Sequence, residues 1–346
     1  MKFLDISGAG NAGKSAVVDL FREIDNFYVP EFQFELDMLR VPGGLLDFRH
    51  SLLEDWSPIR SHAAYHEFLD VIRKMGLDPS PWDIPGLIKC TSQRYDRKFN
   101  GQFCDLSNQF ANHFRVGSYK AEWPYDALRE HGVVRLAKKI IRRLGFRRSV
   151  FEDVVLMDGH DFDEKAREYI ENLYASFVRP TCDHIVFNNG FEPFNPGPGL
   201  DMLSARQIIV TRDPRDVFVS GLNNGNVNKK DQSLLGFDND GANKSFLATD
   251  NLDTFVLRYR LYHEQLYSGS RKDILHVKFE DFVLDHEAHI KLILDFLEVD
   301  PVRHVRPNSC FKPTESAKNV GLWHDYSRQN EIRFIESALS EYLVEY

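Results

Sequence analysis

Two hydrophobic periods alternate along the chain. Residues 2–7 form a short apolar run that predicts a strand, and after a glycine-rich turn Val17, Leu20, Phe21 and Ile24 recur at helical spacing. Phe27-Tyr28-Val29 predicts a second short strand ending at Pro30. The alternation is plain again in the second half. Strands are expected at 151–157, 183–187, 206–211 and 274–278, and helices at 163–178, from Pro214 onward, at 251–267, at 285–298 and at 331–345. Proline at the opening of the helix after 211 suits a first-turn position, where its missing N–H costs nothing. Strands alternating with helices predict an α/β fold with a central, mostly parallel sheet covered on both faces.

Between about 40 and 150 the pattern loosens. Helical pieces are expected near 62–75 and 125–145, separated by irregular aromatic-rich stretches. This largely helical insertion, within a single domain spanning 1–346, is the expected wall of an acceptor pocket. Residues 221–245 are rich in Asn, Gly, Asp and Lys and predict a long polar loop, the kind that serves as a lid.

Composition narrows the class. The chain has 346 residues, 42% of them hydrophobic and 27% charged, which is globular rather than disordered. The net charge of -9 argues against a dedicated nucleic-acid binder. No run of about 18 apolar residues exists to span a membrane. The opening Met1-Lys2-Phe3-Leu4-Asp5-Ile6-Ser7 carries an acid and a serine too early for a secretory segment, so the expected location is cytoplasmic. The 4 cysteines, Cys90, Cys104, Cys182 and Cys310, form no CxxC pair. They are expected to be reduced thiols acting as small buried hydrophobes.

The glycine-rich turn is Gly8-Ala9-Gly10-Asn11-Ala12-Gly13-Lys14-Ser15, a full match to the P-loop pattern GxxxxGK(S/T), with a strand before it and a helix after. Glycines let the backbone curl so that several N–H groups point inward. The helix N-terminus adds partial positive charge and Lys14 a full one. Gly10, Asn11, Ala12, Gly13, Lys14 and Ser15 are therefore expected to bind a phosphate or phosphosulfate, and the fold to be a P-loop three-layer one. A second anion site is expected at Val210-Thr211-Arg212-Asp213-Pro214-Arg215-Asp216-Val217-Phe218-Val219-Ser220. Arg212 leaves a strand end, where open α/β sheets bind ligands, and Ser220 follows about two helical turns later. A forked cation and a hydroxyl can grip one phosphate. Read alone, Arg212 and Asp213 are as well explained by a surface ion pair.

This second stretch resembles the 3′-phosphate-binding motif of sulfotransferases that use 3′-phosphoadenosine 5′-phosphosulfate (PAPS), in which Arg and Ser stand at the same spacing. Leu275 to Val299 is similar to the strand, acidic turn and helix near that family's C-terminus, and Ser316 to Tyr326, SAKNVGLWHDY, to its late Lys/Gly/Trp loop. The resemblance covers about 1–35 and 183–326 and leaves 40–150 unmatched. One departure is visible. Asn11 stands where the family's first turn carries a basic residue, and Lys14 where it carries a threonine.

The resemblance implies sulfuryl transfer from PAPS, as co-substrate and with no metal required, to a hydroxyl, or secondarily an amine, of a saccharide or small molecule. It places Arg212 and Ser220 on the 3′-phosphate with Lys318 adding charge, and Trp323 over the nucleotide, where a core tryptophan is the plain alternative. Lys14 and the turn amides would stabilise the leaving phosphate. The base is expected at Glu31, with Glu35 close behind, or at one of His50, His62, His66, His113 and His160. The other reading is an ATP-dependent kinase using Lys14, Ser15 and Mg²⁺ held by Asp158, which ends the apolar run 154–157. The plainer role for Asp158 is a polar strand end.

One segment stands apart. Arg135, Lys138, Lys139, Arg142, Arg143, Arg147 and Arg148 crowd together without an acid, against a stripe of Val133, Leu136, Ala137, Ile140, Ile141 and Leu144. The expected arrangement is a helix docked by its stripe with a solvated basic face. Contact with an anionic polymer or, through 135–148, with a membrane surface is the alternative. The sequence is silent on oligomeric state.

Overall fold

The computed structural model describes residues 1–30, 35–78, 94–121, 132–145, 152–224 and 246–345. They fall into two compact units. One comprises Met1–Leu39 and Ala175–Tyr346, the other Arg40–Pro79 and Thr91–Tyr174.

The first unit is built on a five-stranded sheet in the order β2-β5-β1-β6-β7, where β1 is Lys2–Gly8, β2 Phe27–Tyr28, β5 His184–Asn188, β6 Arg206–Thr211 and β7 Ile274–Lys278. Every pairing in it is parallel. The pleat sends alternate side chains to opposite faces. Leu4, Ile6, Val186, Ile208, Val210 and Val277 pack against the helices Lys14–Arg22, Phe279–Leu284 and His286–Leu297. The intervening positions Asp5, Ser7 and Gln207 are buried too, but polar. Gln207 Nε2 donates to Asp5 Oδ2 at 2.9 Å and to Ser7 Oγ at 3.0 Å, and Gly190 N donates to Asp5 Oδ1 at 2.6 Å. Burial pushes the Asp5 carboxyl above its usual range, against the pull of these bonds. A second cluster gathers the helices Pro214–Asn223, Leu252–Gln265 and Gln329–Ala338 around Phe218, Phe255, Tyr259 and Ile335.

The second unit is mainly helical. Its main helices are Leu45–Leu53, Pro58–Gly76, Phe103–His113, Gly132–Arg143 and Phe162–Tyr174. The Pro58–Gly76 helix starts where Ser57 Oγ accepts from Arg60 N at 3.1 Å, with proline in its first turn. The core is aromatic. Phe110 stacks on Tyr169 at 4.8 Å and meets Phe114 and Phe162 edge-on at 5.1 and 5.4 Å.

Three expectations are corrected. The strand β4, Glu152–Met157, does not join the parallel sheet. It pairs antiparallel with β3, Arg115–Ala121, in a separate two-stranded sheet. An apolar run reports burial but not which strand lies alongside, and the mostly exposed β3 carries no clear period. The helix expected at 285–298 is present as His286–Leu297, preceded by a separate short helix, Phe279–Leu284, with Asp285 (φ -117°, ψ 59°) between them. The basic helix is not docked by its stripe, since none of its residues is buried. Of the cysteines, Cys182 is buried, Cys104 half-buried and Cys310 exposed, so only one of these three is the small buried hydrophobe expected. Cys90 and most of the polar loop, 225–245, lie outside the described residues.

Phe110→Ala should cost the helical unit about 3–5 kcal/mol, the usual penalty for emptying a buried aromatic site. Urea unfolding followed by tryptophan fluorescence measures it, and a loss below about 1 kcal/mol would show that the ring cluster does not hold this unit together.

Candidate functional site

Strand register brings the two predicted anion sites together. In the parallel pair β1–β6, Gly8 stands opposite Val210, so the glycine-rich turn and Arg212 leave the same end of neighbouring strands. The fit is close. A Cβ on Gly8 would lie 2.5 Å from Val210 O. Gly13 caps the helix Lys14–Arg22 at φ 90°, and a Cβ there would sit 2.2 Å from the Phe279 ring, so steric and conformational limits both demand glycine. Phe279 directly follows β7, whose residue Val277 pairs with Val210. The turn is thus wedged between the ends of β6 and β7.

Arg212 is the hub. It is 5% exposed, and its guanidinium lies 4.8 Å from the centre of the Phe279 ring. Nη1 donates to the Asn11 carbonyl at 2.8 Å and Nη2 to the Asn319 carbonyl. The surface-pair reading of Arg212 and Asp213 does not hold, because Asp213 bonds elsewhere. Asp213 caps the next helix by accepting from Arg215 N at 2.8 Å, accepts Arg215 Nη2 at 2.7 Å, and takes Val344 N at 2.9 Å. Asp216 Oδ2 accepts from Gly321 N at 2.9 Å, a second tie to the late loop.

Ser220 lies buried two turns along that helix. Asn224 Nδ2 reaches Ser220 Oγ at 3.3 Å and Asn11 Oδ1 at 3.2 Å, which links the 220 region to the turn. Gly10, Asn11, Ala12, Gly13, Arg212 and Ser220 therefore converge. Lys14 lies with them, its Nζ donating to the Gly8 and Ala9 carbonyls at 2.8 and 2.9 Å, while Ser15 is exposed on the first helical turn.

Lys318 and Trp323 make contacts of their own. Lys318 is exposed and paired with Glu315 at 3.0 Å, although its neighbour Asn319 touches Arg212. Trp323 is half-buried against the second cluster, its ring covered by the Arg215 guanidinium at 3.9 Å. Glu31 is outside the described residues and Glu35 is half-buried. The histidines all belong to the helical unit. His62 is buried, its Nδ1 accepting from Val155 N at 3.1 Å, a structural role. His50 pairs with Glu54 at 2.9 Å and His160 with Asp161 at 3.2 Å, both exposed. His113 packs against Phe114, and exposed His66 lines a cleft with Asp70, Arg73, Cys104 and Asn108. Asp158 follows a strand outside the sheet that carries the glycine-rich turn, and its Oδ1 accepts from His160 N at 3.0 Å. That is a strand-end turn rather than a Walker B position.

Residues 204–303 match the model of the sulfotransferase family, a span that contains β6, Arg212, Ser220 and β7. Over this segment the chain is similar to the sulfotransferase family. Among solved structures, a sulfotransferase domain from the curacin biosynthetic pathway is 13% identical, with a TM-score of 0.40 over 99% of this chain and 98% of that one. A sulfotransferase domain from the olefin synthase of Synechococcus PCC 7002 is 14% identical, with a TM-score of 0.40 over 99% and 95%. A mouse sulfotransferase complexed with PAP is 14% identical, with a TM-score of 0.30 over 50% and 70%. Likenesses this loose carry no weight beside the matched segment. No curated protein matches the chain at a significant level.

Glu280 is a residue packed beside this cluster that the motifs did not single out. It is the second residue of the helix after β7, is fully buried, and its Oε1 accepts from Asp213 N at 2.9 Å, while Oε2 has no hydrogen-bond partner among the described residues. Burial pushes its carboxyl up to about 7, outweighing the Asp213 N–H and the nearby Arg212 charge. The available signal was positional, an acid directly after a buried strand end. Asn224 carried a weaker one, a single amide one turn beyond Ser220.

A carboxyl whose folded-state pKa is raised binds a proton on folding. Its stabilisation is full below the unfolded value and is lost as pH rises toward 7. Glu280→Gln keeps the acceptor for Asp213 N. It should therefore abolish a pH-dependent loss of up to about 3 kcal/mol between pH 5 and 8, read as melting temperature against pH. Parallel curves for the two proteins would show that Glu280 does not titrate in that window.

Proposed function

We propose that this protein is a sulfotransferase that moves the sulfuryl group of PAPS to a hydroxyl, or secondarily an amine, of a saccharide or small-molecule acceptor. The observation that carries the reading is the buried Arg212 bond to the Asn11 carbonyl, which holds the start of the Arg212–Ser220 segment against the glycine-rich turn. The residues suit such a donor substrate. Lys14 and the turn amides supply positive charge, Gly8 and Gly13 leave the backbone bare for close approach, and Arg212 and Ser220 offer a forked cation and a hydroxyl.

PAPS supplies the activated sulfur–oxygen bond. That bond breaks toward the 5′-phosphate as the acceptor oxygen bonds to sulfur, and the acceptor proton passes to a base. Lys14 and the amides of the turn hold the charge that builds on the departing phosphate oxygen, so they act where the transition state differs from the ground state. Glu31 follows β2 at the edge of the same sheet, and we assign it the proton. The kinase alternative loses its Mg²⁺ carboxylate, since Asp158 does not follow a strand of this sheet. Free Cys104, Cys182 and Cys310 fit a cytoplasmic setting, and among the described residues no helix is long and apolar enough to cross a membrane.

The test is thermal shift and calorimetry with 3′-phosphoadenosine 5′-phosphate against Mg-ATP. The 3′-phosphorylated nucleotide should stabilise the protein without Mg²⁺. Because Arg212 also braces the turn, Ser220→Ala is the cleaner variant. It should weaken that nucleotide about 10–100-fold, the worth of one hydrogen bond to a charged group, and leave 5′-AMP nearly unchanged. Equal weakening of both ligands removes Ser220 from the 3′-phosphate.

Glu31→Gln should lower kcat at least about 100-fold with donor affinity unchanged, measured by turnover on a panel of saccharide and phenolic acceptors. Normal turnover would move the base to Glu35 or to a histidine.

A further inference from the structure

We propose that the helix Gly132–Arg143 is an interfacial anchor that lies in the surface of a membrane bearing anionic headgroups. Soluble proteins tuck the apolar stripe of a helix against a core, and this helix buries no residue at all. Val133 is 79% exposed, Leu136 59% and Ile140 51%, and Leu144 just beyond is 67% exposed. At 100° per residue these side chains, with Val134, Ala137 and Ile141, fill roughly 160° of the helix circumference. Arg135, Lys138, Lys139, Arg142 and Arg143 fill the opposite flank, and no acid interrupts either side.

The apolar flank needs a cover, and the exposed Arg135, Lys139 and Arg143 beside it narrow the chemistry of that cover. An acidic polysaccharide would draw on the cations and leave the aliphatic stripe in water. A neutral apolar groove would cover the stripe and draw nothing from the cations. An anionic bilayer surface meets both, the stripe entering the acyl boundary while the basic side chains reach lipid phosphates and carboxylates. The chain as a whole carries -9, so the attraction is local to this helix and orients the protein on the surface rather than coating it. The proposal does not depend on the reaction catalysed.

The experiment is co-sedimentation of the full chain with vesicles of phosphatidylcholine alone and of phosphatidylcholine containing about 30% phosphatidylserine. Wild-type protein should pellet with the anionic vesicles at least about tenfold better than with the neutral ones, and less so in high salt. Leu136→Glu with Ile140→Glu, and separately Arg135→Glu with Lys139→Glu and Arg143→Glu, should each reduce pelleting at least about tenfold at unchanged melting temperature. Equal pelleting with both vesicle types, or undiminished pelleting of both variants, overturns the proposal. So does a protein that ignores vesicles but forms a dimer dissolved by Leu136→Glu with Ile140→Glu, or one that ignores vesicles but binds a sulfated polysaccharide through the basic flank. Those two results assign the face to a second copy and to an anionic polymer respectively.

Discussion

The first unit depends on a guanidinium in an unusual place. Arg212 is buried at the end of a central strand, laid over the Phe279 ring, and spent on carbonyls of two loops, those of Asn11 and Asn319. A buried cation is costly unless its donors are met, so its bonds to both loops act as restraints. The glycine-rich turn and the late loop are held in register with β6 because leaving them would strand the charge. Asp216, accepting from Gly321 N, repeats the tie from one helical turn further on.

The residues around this hub are arranged in depth. Asp213 caps the helix that carries Ser220, and Glu280 holds the Asp213 N–H from the end of the adjacent strand. Tyr259 reaches in from another helix to donate to the Arg212 carbonyl at 2.6 Å. Arg212 and the helix after β6 are therefore supported by buried partners drawn from separate parts of the chain, an arrangement that holds charged side chains in one geometry. The same burial raises the pKa of the Glu280 carboxyl, one of whose oxygens is bonded and the other enclosed.

The two units contrast in how they are held together. The sheet unit relies on strand register and on two buried polar groups, one around Asp5 and Gln207 at the middle of the sheet and one joining Glu280 to Asp213. The helical unit relies on stacked and edge-on rings, with Phe48, Phe68, Phe110, Phe114 and Phe162 within ring-contact distance of one another. Ring packing depends on local shape and leaves no period in the sequence, which is why 40–150 read as irregular.

The sequence alone determined the elements whose information is local. A P-loop pattern fixed the turn at 8–15, capping and proline chemistry fixed the helix start at Pro214, and apolar runs fixed β6 and β7 at 206–211 and 274–278, as observed. Spacing also set Arg212 and Ser220 on one strand–helix unit. What only the tertiary structure decided was long-range. It put Gly8 opposite Val210, gave Asn319 to Arg212, sent Lys318 to the surface and placed 152–157 in a different sheet. It also left the basic helix uncovered. Hydrophobic period records that a side chain wants burial but not against what, and pairing between residues a hundred or two hundred positions apart leaves no mark in either stretch by itself.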